Sequence, residues 1–331
     1  MSAKWAPGND AGPSGQGVGD AVTLIAYSKL KQVLVDPHSD PQVLFEDARE
    51  LSKSIVHEEY TTAPLPPDAP ELIIHGFERA GEGGVIEAYM VLAGLYRAGG
   101  SCSSPLLSKD DDRAIELFSL AEQLGHPDAA FEFAKTVYYA KRVDLAQEAW
   151  GRAEAFSDSA PERTDALVLV GYLLNAGFGV APDPIAAAHK FHAAAKRFDA
   201  DACFELAVLN STGTGVPQDS DTALAYMFWA AELGSTRAQY NLGAFYGAGT
   251  DGLPRDSEMS LQWYLKAAHA NHGQAALTAA LMLLTGDGGL TVDTEQAAEL
   301  LTRAARLLGR DAVEERLTAM GLRPRDSGCT K

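Results

Sequence analysis

Two pairs of histidines are the first residues whose type and spacing could do chemistry. His189 with His192, and His269 with His272, stand three apart, which puts both imidazoles of a pair on one helix face, as a metal site needs. Neither pair has a carboxylate or thiol at a matching spacing to complete a ligand set, so both are expected to be ordinary helix-surface histidines. Gly213-Thr-Gly215 and Gly286-Asp-Gly288-Gly289 resemble phosphate-cradling loops, but no Walker lysine follows them and no strand leads into them. Serine, histidine and aspartate are all present, without a nucleophile elbow or an H-E-x-x-H zinc motif. Cys102, Cys203 and Cys329 are too few and too scattered for a disulfide framework or a zinc ribbon, and point to a reducing compartment. Asn210-Ser211-Thr212 is a lone glycosylation sequon, taken as coincidental. Trp150, Trp229 and Trp263 are expected to pack between helices. The expectation is therefore no catalytic centre, no cofactor, no metal and no small-molecule substrate.

The same glycines recur once per repeat, which a unique nucleotide site would not do. Six segments align on an alanine and a small residue eleven positions later: Ala88 with Gly99, Ala129 with Ala140, Ala166 with Gly177, Ala202 with Gly213, Ala238 with Gly249, and Ala275 with Gly286. The anchor alanines are spaced by 41, 37, 36, 36 and 37 residues. Each unit is predicted to be a helix, a Gly-rich loop, a second helix and a short turn. In the clearest unit, Ala238, Leu242, Gly243 and Tyr246 place small and large apolar residues at helical spacing. A Gly249-Thr-Asp-Gly252-Leu253-Pro254 loop follows, then a second helix from Ser260 to Ala268. Neighbouring loops carry Gly177-Phe-Gly179-Val180 and Gly213-Thr-Gly215-Val216, followed by Asp183 and Asp219. The second helices end in the small pairs Ala194-Ala195, Ala230-Ala231, Ala267-Ala268 and Ala304-Ala305.

These motifs resemble the Sel-one-like repeat family, relatives of the tetratricopeptide repeats. Ala238, Leu242, Gly243, Tyr246 and Gly249 match the first half of that family's unit, and Ala223, Tyr226, Ala230, Ala231 and Gly234 match the second. The resemblance covers about Glu87 to Gly309. It implies an all-α fold: a right-handed α/α solenoid of about six helix-pair repeats with helical caps at both ends. The second unit departs from the pattern, with Ala140-Lys-Arg-Val143 in place of loop glycines and a longer link from Ser157 to Thr164. The first carries an insertion from Ser101 to Lys109.

The expected organisation is a disordered segment over 1–20, then an N-terminal helical cap with an eroded repeat over 21–84. Six repeats follow over 85–310, a capping helix over 311–322 and a disordered tail over 323–331. Within the cap, helices are expected over Ala21–Val35, Pro41–Tyr60 and Glu71–Ala80.

A net charge of −18 makes nucleic acid and anionic membrane surfaces poor partners, since both are held by Lys and Arg against phosphate. It would steer in a partner that carries basic residues. No stretch approaches the roughly 18 apolar residues of a membrane span. The first twenty residues lack the apolar core of a secretory signal. The expected location is the cytoplasm, with an organelle interior such as the mitochondrion as the alternative.

In the geometry that the resemblance implies, the first helices line the concave side. Positions three, six and ten after each anchor alanine then face outward beside the packed positions. They hold Glu132, Tyr139, Tyr172, Glu205, Thr212 and Asn241, candidates for binding a protein or peptide with Lys or Arg flanked by apolar residues. The leading function is a protein-binding adaptor or scaffold. A structural subunit or assembly factor of a larger complex is the second reading, and a hydrolase the third.

Overall fold

A computed structural model describes residues 16–56, 66–99 and 107–322. Among them are sixteen α-helices and no strand, in two compact units. The N-terminal unit holds α1 (Gln16–Val35), α2 (Pro41–Val56), α3 (Ala69–Glu82), α4 (Glu87–Ala98), α5 (Asp111–Gln123), α6 (Ala129–Tyr139) and α7 (Ala146–Ser159). The C-terminal unit holds α8 (Thr164–Ala176), α9 (Pro184–Ala195), α10 (Ala200–Thr212), α11 (Ser220–Glu232), α12 (Thr236–Ala248), α13 (Ser257–His269), α14 (Gly273–Thr285), α15 (Thr294–Leu308) and α16 (Arg310–Ala319). Six helix pairs, α4/α5 to α14/α15, correspond to the six units of the period.

The recurring residues explain why each pair closes. All six anchor alanines are buried, where anything larger would hold the two helices apart. Five residues after an anchor, Gly171 and Gly243 leave the backbone bare for an aromatic ring of the second helix. A Cβ at Gly171 would lie 2.5 Å from the Phe191 ring, and one at Gly243 would lie 2.8 Å from the Tyr264 ring.

The aspartate after each loop is a double latch. Its backbone N–H donates to the last turn of the first helix: Asp110 to Tyr96, Asp183 to Leu174, Asp219 to Asn210, Asp256 to Tyr246 and Asp293 to Leu283, at 2.8–3.1 Å. Its carboxylate then accepts from an N–H in the first turn of the second helix, as Asp256 does from Met259 at 2.9 Å. One side chain thus sets the loop length and caps the next helix. Asp256→Ala is expected to cost ~1 kcal/mol, the usual size of a lost N-cap, read as faster amide exchange in the first turn of α13. Exchange there at the parent rate would show that the latch holds nothing.

The second pair departs where the sequence does. Lys141 adopts φ +54° in place of a loop glycine, a short 3-10 turn spans Val143–Leu145, and α7 starts at Ala146 with no side-chain cap from Leu145 before it.

At the C-terminal end, α16 buries Val313 and Leu317 in one apolar cluster with Leu300, Leu301 and Ala304 of α15. At the other end the expected boundary needs correction. The first helix begins at Gln16, so residues 16–20 are helical and not part of a disordered segment. Ala26 and Leu30 are buried and anchor this helix, and once it is nucleated each residue added upstream gains a hydrogen bond at little further cost, despite Gly17 and Gly19. The remainder of that segment (1–15), the tail at 323–331, the end of the second expected helix at 57–60 and most of the Ser101–Lys109 insertion lie outside the described residues. No helix among the described residues is long and apolar enough to cross a membrane.

Candidate partner-binding face

The candidate face is built on the first helices, and in the C-terminal unit it is a connected polar run. Tyr172 on α8 donates its hydroxyl to Glu205 Oε1 on α10 at 3.1 Å. Arg237, at the start of α12, donates to the same Glu205 oxygen at 2.9 Å, to the Tyr172 hydroxyl at 3.0 Å and to Asp201 Oδ1 at 2.9 Å. Its guanidinium lies 4.2 Å from the Phe204 ring centroid, which fixes its plane. Three successive first helices are tied by one cation and two carboxylates. Burial pushes the Tyr172 phenol far above its ordinary range, with the Glu205 charge adding to the effect, so this group acts as a hydrogen-bond donor and not as a base.

The N-terminal unit repeats the device. Glu132 on α6 pairs with Arg97 at the end of α4, and Arg97 also reaches Thr136 Oγ1 at 3.2 Å. Tyr139 is 62% exposed at the end of α6, with its ring 5.3 Å from that of Tyr138.

Of the six candidates, the structure joins Tyr172 to Glu205. Glu132 and Glu205 are largely covered and neutralised by arginines. Thr212 folds back on its own helix, bonding Val208 O at 3.0 Å and Thr214 Oγ1 at 2.9 Å. Asn241 is half-buried on α12.

The residues that suggested other chemistry have local structural roles. His272 caps α14, its Nδ1 accepting from the Ala275 N–H at 3.1 Å, and stacks on Tyr240. His192 Nδ1 lies 3.3 Å from the Tyr226 hydroxyl. Burial pushes the Cys203 thiol up to about 11, the wrong direction for a nucleophile. Gly213 and Gly286 are left-handed helix caps, at φ +71° and +65°.

The family model described as Sel1 repeat matches residues 86–126, 164–197, 200–235, 236–272 and 274–307, together just over half of the chain. This chain belongs to the Sel1 repeat family. The second helix pair, α6/α7, is the unit left unmatched, in keeping with its missing loop glycines. Sel1 repeats generally mediate protein–protein interactions, on a fold that is typically a non-enzymatic scaffold.

Among solved structures, a Sel1 repeat protein from Oxalobacter formigenes superposes with a TM-score of 0.54 at 19% identity, covering 92% of this chain and 87% of that one. A protective antigen of uropathogenic Escherichia coli with an SLR fold gives 0.44 at 19% identity, over 93% of this chain and 66% of that one. An immunity protein from Pseudomonas aeruginosa gives 0.45 at 20%, over 71% and 82%. The first of these shows the Sel1 solenoid fold. No curated protein matches the sequence.

What sequence reasoning missed on these Sel1 repeats is the arginines. A signal for Arg237 was present in the column that directly precedes the anchor alanines. That column reads Glu87, Asp128, Asp165, Asp201, Arg237 and Gln274, so the arginine is the one cation in a mostly acidic series. Arg97 stands nine residues after its anchor and had no comparable signal.

Proposed function

We propose that this chain is a non-enzymatic adaptor that holds a partner protein or peptide along its first-helix face, the side expected to be concave. The observation that supports this most is the Tyr172–Glu205–Arg237–Asp201 run. It is an ordered row of polar groups across three repeats, with Asp201 still 61% exposed. A pre-ordered row loses little side-chain entropy on binding, which favours affinity. The partner is a segment with Lys or Arg flanked by apolar residues, because the row keeps one uncompensated carboxylate and the chain's −18 charge steers cations towards it.

The test is affinity capture with the purified full chain at moderate and high salt, followed by affinity measurement with the captured partner. The charge-neutral variant Asp201→Asn removes the exposed carboxylate of the row and keeps side-chain shape, and Tyr139→Ala removes the exposed ring. A roughly tenfold or larger loss of affinity in the combined variant, with salt-sensitive binding, is expected. Unchanged affinity in that variant would overturn the assignment of this face.

A further inference from the structure

The second helices carry a surface of the opposite character. The turns that leave α5, α9, α11 and α13 place a positive φ four residues after the first alanine of the small pair, or after Ala121 in α5. That position holds Gly125 at φ +92°, Gly234 at +98° and Asn271 at +62°, residue types that accept this region. In the α9–α10 turn the same position is Phe198, at φ +63° and 69% exposed. A bulky residue held left-handed in solvent is a genuine outlier, and strain of this kind is found where function requires it.

Phe198 is not alone. Its ring meets Trp229 of α11 edge-on at 6.2 Å, and Tyr226 stacks on Trp229 at 6.1 Å. Trp229 is itself 37% exposed, so three aromatic rings form a partly open apolar patch. Directly beside it in the chain stand Lys196 and Arg197, both exposed and in no ion pair among the described residues. The nearby carboxylates are already engaged. Asp199 caps α10 through the Ala202 N–H at 2.9 Å, and Glu232 pairs with Lys266 at 3.2 Å. A helix C-terminus favours cations, which accounts for Lys196 by itself; it does not account for Phe198.

We propose that the Phe198–Trp229–Tyr226 patch, flanked by Lys196 and Arg197, docks an acidic peptide segment of a partner protein through one apolar anchor residue. The apolar residue would cover the Phe198 and Trp229 rings while Asp or Glu beside it meet the two cations. Aromatic side chains with an adjacent arginine are the residue types that dominate binding energy at such sites. The chain would then present two docking surfaces of opposite charge preference, on its first and second helices.

The test uses the full chain and an array of twelve-residue probe peptides. Each probe has a single Leu or Phe flanked by Asp and Glu, and a twin in which the acidic residues become Lys and Arg. Affinities are then measured by fluorescence anisotropy. Acidic probes are expected to bind at least tenfold more tightly than their twins, with the preference weakening as salt rises. Lys196→Glu with Arg197→Glu should abolish it. Phe198→Asn should weaken acidic probes tenfold or more while Tm stays level or rises, because asparagine is the residue that Asn271 already places in this turn. That pairing separates a docking ring from a merely structural one, since loss of a structural ring would lower Tm. Equal affinity for acidic and basic probes, or an acidic preference that survives both variants, would overturn the proposal. Self-association of the chain abolished by the same variants would overturn the peptide assignment in favour of a second copy.

Discussion

Gly215→Ala is expected to lower the stability of the C-terminal unit by ~3 kcal/mol, whereas Gly234→Ala costs only ~1 kcal/mol. Both glycines have φ in the left-handed region, +70° and +98°, so both alanines incur the backbone strain. They differ in what the new methyl meets. At Gly215 a Cβ would sit 2.2 Å from the carbonyl oxygen of Pro184 and 2.4 Å from its carbon, and backbone there cannot rotate away. At Gly234 nothing lies within 4 Å. Pro184 is the first residue of α9, so the α10–α11 loop rests directly on the preceding repeat. In a repeat protein such neighbour interfaces carry much of the stability, and a clash there uncouples the repeats on either side. Hydrogen exchange by mass spectrometry would read this as lost protection in both α9 and α10 for Gly215→Ala, and only a local change for Gly234→Ala. Equal losses in the two variants would mean that the loop contact contributes nothing beyond strain.

Arg237→Met should cost ~2 kcal/mol, because it leaves Glu205, only 14% exposed, with the Tyr172 hydroxyl as its remaining partner in the network. The discount from a fully buried pair reflects the arginine's own side chain, which is 44% exposed and therefore partly screened. A double-mutant cycle with Glu205→Gln, followed by urea unfolding, should return a coupling of ~1–2 kcal/mol between the two residues. Arg237→Lys should not restore the parent stability. An ammonium is a single point of charge and cannot hold Tyr172, Glu205 and Asp201 together while lying flat on Phe204. Full rescue by lysine would show that charge alone matters and that the row is not ordered by the guanidinium plane.

The same two sites divide what could be read in advance from what could not. Gly213-Thr-Gly215 was legible as structural from its recurrence alone. The reason for the second glycine, a carbonyl of the previous repeat at van der Waals overlap with any side chain, required coordinates. The glutamates show the opposite case. Glu132 and Glu205 were expected as outward positions on first helices, and the structure places both on first helices with their side chains largely covered. Their charge state towards a partner was not legible, because Arg97 and Arg237 approach from other registers of the neighbouring first helices, 35 and 32 residues away in sequence. Phe198 was not legible, because glycines in a sequence mark where a positive φ is tolerated and not where the fold imposes it on another residue.

The amino-acid sequence by itself determined the period, the pairing of helices and the loop chemistry of this Sel1 repeat protein. Those features depend on contacts within one unit, where small anchors, facing rings and capping aspartates are close in the chain and recur. Only the tertiary structure decided which surface charges remain available. An ion pair forms between side chains that adjacent helices bring within about 3 Å, and a one-residue change of register or a ring beneath the guanidinium settles whether a carboxylate is neutralised or left open.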